Sequence, residues 1–196
     1  MTLLVIGLVL FLGTHSFSMA RERRAAIIGR IGEGPYKGLY SLLSLAGIVL
    51  VSIGYGQYRA GGYISVWDPP VWTRHLALLL VLIAFICFVA AYLPGHIKAR
   101  LKHPMLAGVK IWAFAHLIAN GDLGSILLFG SFLVWAVLAR ISVKRRDVAA
   151  QHGGTAAPAG WRNDILAVAI GAGVYLAFVF WLHPWLIGVS VLPMRA

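Results

Sequence analysis

Apolar residues fall along this chain in six blocks, separated by short polar or basic breaks. A helix needs roughly 20 predominantly apolar residues to cross a bilayer core. The blocks predict helices at about 3–19, 38–58, 71–93, 104–120, 122–141 and 164–182. The first break, Arg21 to Lys37, is basic, with Ala25, Ile27, Ile28 and Ile31 as an apolar stripe. It reads as a short interfacial helix stopped by Gly32, Gly34 and Pro35. Asp68-Pro69-Pro70 cannot continue a helix, and Pro94-Gly95 ends the third block. Pro104 suits the first turn of the fourth helix. Residues 142–162, rich in Ala, Gly and charge and containing Pro158, predict a flexible loop. Asp164 is the expected N-cap of the last helix, which His183-Pro184-Trp185 would kink or end.

Composition fixes the class. Of 196 residues 60% are hydrophobic and 12% charged, with mean hydropathy +0.85, more apolar surface than a soluble domain of this length can bury. The net charge of +11 is confined to short runs between the blocks. Loops one-to-two, three-to-four and five-to-six are rich in Lys and Arg, whereas loop two-to-three holds only Arg59 and Arg74 and the four-to-five hinge holds none. The positive-inside rule then gives a single-domain, all-α polytopic membrane bundle over residues 1–196, with both termini outside and three basic loops in the cytoplasm. Such a distribution suits anionic lipid headgroups and not nucleic acid. Residues 2–13 (TLLVIGLVLFLG) have no basic residue before them and Arg21 to Arg24 after, so they read as a retained span and not as a signal peptide. The lone Cys87 excludes a disulfide framework, and no P-loop, dinucleotide fingerprint or Ser/His/Asp set occurs. None of the six carboxylates lies clearly inside a span, which argues against proton-coupled transport.

Polar groups concentrate between Lys102 and Arg146, and topology sorts the seven histidines by depth. His15 and His103 approach the cytoplasmic face, and His96 lies in the loop before His103. His75, His116 and His183 approach the outer face and could form a second cluster, while His152 falls in the flexible loop. An imidazole within a span is costly and turns toward the bundle interior, a partner or a cofactor. His103 and His116, thirteen residues apart, would stand about 20 Å apart on one helix and cannot share a haem. His15 and His103 are on different helices at one face and could oppose each other. Haem suits these histidines better than zinc, because no Cys or carboxylate cluster accompanies them. Lys110, two turns after His103, could meet a haem propionate or another anion. In Asn120-Gly121-Asp122, Gly121 would close one helix in a left-handed conformation and Asp122 would cap the next.

LFLGTHS, GLYSLLSLAG, HPMLAGVKIWAFAHLIANGDLGSILLFG and LHPWLIGV together resemble the NnrU family of bacterial membrane proteins over essentially the whole chain. The resemblance implies an inner-membrane protein associated with denitrification, specifically nitrite and nitric oxide reduction or its redox sensing, with a respiratory nitrogen-oxide reductase as partner. The family is similar to 15-cis-zeta-carotene isomerase, a membrane b-haem protein. That similarity implies haem b held by two histidines, one late in the first helix before Ser and one in a basic-His-Pro motif, which match His15 and His103. Lys110, His116 and His183 are further candidates for cofactor binding. Two alternatives stand beside this: an enzyme acting on a lipid or isoprenoid, isomerase-like or methyltransferase-like as His103-Pro104 to Gly108 suggests, and a non-catalytic assembly factor for a respiratory reductase.

Overall fold

Nine α-helices and one π-turn follow one another among the described residues. A computed structural model describes residues 1–149 and 160–192; His152 and Pro158 lie outside the described residues. The helices are α1 (Thr2–Phe17), α2 (Arg21–Ile31), α3 (Glu33–Ala60), α4 (Val71–Ala90), α5 (His96–Leu101), α6 (Pro104–Ala119), α7 (Leu123–Ala149), α8 (Trp161–Ala177) and α9 (His183–Ile187). Among the described residues no strand occurs, and the protein is an all-α helical membrane bundle. α3, α4, α7 and α8 with its continuation to Ile187 are long and apolar enough to cross a membrane. α1 and α2 together pass the same test but bend by 89°, and α6 is a shorter apolar helix.

The main packing contacts run in the order α3–α1–α7–α6–α4–α8. One end of the bundle, the basic end, carries the α1–α2 turn, α5 and the C-terminal part of α7. The apolar core joins Leu4 and Leu8 of α1, Val51 of α3, Ala113 of α6, and Leu128 and Phe129 of α7.

Glycines set the tightest contact, between α1 and α3. A Cβ on Gly7 would lie 2.5 Å from the Val51 nitrogen, and one on Gly47 would lie 2.8 Å from the Phe11 nitrogen. Gly54 likewise faces the Leu4 backbone. Without a hydrophobic driving force between helices in lipid, close approach of small residues supplies the attraction through van der Waals contact. The seam holds α1, and with it His15, in a fixed register against α3.

Several boundaries differ from the sequence reading. Gly32, at φ +88°, ends α2, but Gly34 and Pro35 lie inside the first turn of α3. A proline there loses only an N–H that has no intrahelical partner anyway. α7 runs on to Ala149 and α8 starts at Trp161, so the ends of the expected loop 142–162 are helical. Asp164 does not cap α8: the N-cap is Gly160, and the carboxylate turns to α5 instead. Gly121 is not left-handed, since Asn120 ends α6 in extended backbone. Glycine is required there because the Trp67 carbonyl occupies the position of a Cβ. The bend expected at His183-Pro184 is a π-turn, Phe178–Leu182, after which α9 continues to Gly188. Pro184 offers no N–H to the preceding turn and its ring crowds that turn, and the wider turn accommodates both.

Candidate functional site

His15 sits where α1, α3 and α7 meet, near the basic end. Its Nδ1 donates to the Phe11 carbonyl at 2.8 Å, and its ring stacks on Phe11 with centroids 4.1 Å apart. Tyr40 of α3 and Trp135 of α7 approach it at 5.3 and 5.9 Å. A carbonyl can only accept, so the proton is on Nδ1 and the Nε2 lone pair is left for another partner. The surroundings are unusual for a membrane interior. Among the described residues, the buried side-chain polar atoms without a hydrogen-bond partner are Tyr36 Oη, Trp135 Nε1 and Arg140 Nη1, whereas the buried Ser44 Oγ has the Tyr40 hydroxyl beside it. All of these belong to α3 or α7, the two helices packed on α1.

His103 occupies the N-cap position of α6. Lys102, just before it, has φ +60° and ψ −45°, and the His103 N–H reaches back to the Leu101 carbonyl at 2.6 Å. This is a γ-turn of the rare, strained hand. Strain of this kind persists only where the surroundings enforce it. Lys110 is half-buried on α6. The ring contacts of His15 are with α1, α3 and α7, while His103 belongs to α6, which packs against α7 and α4.

At the other end of the bundle no buried side-chain polar atom without a hydrogen-bond partner occurs among the described residues. His116 donates Nδ1 to the Trp112 carbonyl at 2.8 Å and stacks on Phe129 at 4.5 Å. His183 donates to the Val189 carbonyl at 2.8 Å and lies within electrostatic reach of His116. His75 is exposed, so of the expected trio the structure brings two together. No group of three or more His, Cys, Asp or Glu suited to a metal ion occurs among the described residues. Asp122 caps α7 through the Ser125 N–H at 2.9 Å. The Ser125 hydroxyl donates to Asp122 at 2.6 Å, so Tyr55 must donate to Ser125 at 2.7 Å. The Gly121 carbonyl accepts the N–H groups of Val66 and Trp67, tying the α3–α4 loop to this hinge.

A family model described as NnrU protein matches residues 3–191. The chain belongs to the NnrU family. No curated protein and no solved structure matches it.

This NnrU chain has one polar junction that sequence reasoning missed. Asp164 of α8 accepts the backbone N–H groups of His96 and Ile97, both at 3.0 Å, and so caps α5 from another helix. It also bonds His96 Nδ1 at 2.7 Å. The His96 ring rests on Trp161 at 4.7 Å, and Asn163 donates to the Pro94 carbonyl. The two segments are 68 residues apart, so no local pattern reveals the pairing. Trp135 and Arg140 were missed for a related reason: in an apolar block, neither shows whether its polar atom is satisfied.

Proposed function

We propose that this NnrU protein binds haem b at its basic end and serves nitrogen-oxide respiration in the bacterial inner membrane, with the basic end in the cytoplasm. The observation that carries the reading is the environment of His15. Its Nδ1 bond fixes the tautomer that leaves Nε2 ready to ligate iron. Trp135 Nε1 and Arg140 Nη1, buried and without partners on the adjacent helix, are donors suited to an anionic group such as a propionate. An orphaned buried donor costs free energy, and a ligand that satisfies it recovers that cost. His103, held by the strained turn at Lys102, would be the second histidine to hold the haem, and Lys110 would supply a further cation on its helix. Bound haem would supply a one-electron redox centre. The protein's own part is to fix the imidazole, exclude water through Phe11 and Tyr40, and compensate negative charge.

The test is the visible spectrum of the purified protein after haem-replete expression. A Soret band is expected, and His15→Ala and His103→Ala should each shift or abolish it while His152→Ala leaves it unchanged. A spectrum with no Soret band, or one indifferent to both substitutions, overturns the reading.

A further inference from the structure

A second feature at the basic end involves none of the histidines. The 89° bend between α1 and α2 brings Arg21 and Arg23 opposite Arg145 and Arg146 of α7 across a cavity of about 650 Å³. Among the described residues Glu22 is the one carboxylate lining it, beside four guanidinium groups. Apart from a long contact of Arg146 to Ser142 at 3.4 Å, these arginines have no hydrogen-bond or ion-pair partner among the described residues. The other wall is apolar: Leu138 and Ile141, both exposed.

Leu138 also belongs to a second, shallower groove of about 510 Å³ between α1 and α7. Leu12, Gly13, Gly130 and Val134 line this groove, and a Cβ on either glycine would meet nothing within 4 Å. Those glycines therefore keep a trough open and do not serve helix packing, in contrast to Gly7 and Gly47. Along α7 the groove runs from Ile126 to Leu138, about 18 Å at the helical rise. Through the shared Leu138 the trough leads into the arginine cluster, beside α2 with Ile27 and Ile31 exposed.

We propose that the groove and the arginine cavity together form a binding site for an anionic phospholipid. Its phosphate sits among Arg21, Arg23, Arg145 and Arg146, and one acyl chain lies between α1 and α7. Guanidinium groups suit phosphate oxygens through paired N–H donors, and the apolar trough selects a ligand with a tail. His15 lines neither cavity, and the arginine cluster is separate from the haem reading; the groove shares one wall residue with it, Trp135.

Native mass spectrometry of the full chain in a neutral detergent tests it, with dioleoyl-phosphatidylglycerol, dioleoyl-phosphatidylcholine and inorganic phosphate as probes. Phosphatidylglycerol should be retained about tenfold better than phosphatidylcholine. The double variant Arg145→Gln/Arg146→Gln should weaken it by about tenfold. Gly130→Leu, whose Cβ meets nothing within 4 Å, should fill the trough and weaken lipid retention with an unchanged melting temperature, and Gly13→Leu should do the same from the opposite wall. His15→Ala should leave lipid retention as it was, whatever the spectrum shows. Equal retention of the two lipids, or an unaffected arginine double variant, overturns the proposal. So does displacement of the lipid by phosphate at comparable concentration, which would mark a soluble-anion site. Loss of lipid in His15→Ala overturns it too, because the cavity would then be part of the histidine site.

Discussion

The two ends of the bundle treat buried polar groups in opposite ways. At the Asp122 end, Tyr55, Ser125, Asp122, Tyr58 and Gly121 form a closed set in which donors meet acceptors. Toward the basic end, by contrast, Trp135 Nε1, Arg140 Nη1 and Tyr36 Oη are buried without partners, and Lys102 holds a strained backbone. In lipid an unmet polar group has no water to fall back on, so such groups are tolerated where something else is to be bound. A histidine alone does not separate the two ends, because His15 and His116 make the same bond to the carbonyl four residues back. Their neighbours do. The satisfied end holds the bundle together; the unsatisfied end is the one to which the proposed ligand is assigned.

Substitutions at each end can break this contrast. Asp122→Ala removes the α7 cap and the acceptor of the Ser125 hydroxyl, and should destabilise by about 2–3 kcal/mol. Thermal unfolding in detergent measures it, and haem content per folded molecule should not change. A loss of haem without loss of stability would reverse the roles of the two ends. Lys102→Gly, relieving a positive φ, should stabilise the protein by about 1 kcal/mol while loosening His103, seen as an altered haem spectrum. If the melting temperature falls instead, the strained turn is not stored at the basic end. The smallest effect is expected for Trp135→Phe. It deletes an orphaned donor and keeps most of the ring, so stability should stay within about 1 kcal/mol of the parent. The same variant should lower haem affinity in a titration, and one that melts far lower would show that the indole N–H is already satisfied.

The hydropathy blocks gave the bundle, because a span must be apolar throughout and that property is local. Turn chemistry was legible where a side chain serves its own helix, as Asp122 does. It misled where a side chain serves another one: Asp164 lies in the first turn of α8 yet caps α5. Gly121 was read for its freedom of backbone angle, whereas its role is to leave room for the Trp67 carbonyl. Similarly, Gly7, Gly13, Gly47 and Gly130 are alike in the sequence, and only the fold separates the pair in the α1–α3 seam from the pair that line an open trough. The histidines could be named and sorted by depth. Which of them has unsatisfied neighbours depends on α3 and α7 closing around α1, a relation between residues far apart in the chain.

The length of α1 has a consequence for the bilayer itself. Sixteen residues rise about 24 Å, and α6 is the same length, against a hydrocarbon core of about 30 Å. α1 also shows Val5, Ile6 and Val9 to the outside, so lipid meets this short helix directly. Hydrophobic mismatch of that size is relieved by local thinning of the membrane. On the α1 flank the bilayer should therefore pucker inward, bringing headgroups and water closer to Arg140 than its place in the sequence suggests. A deformed annulus of this kind would let the protein be drawn toward thinner patches of membrane.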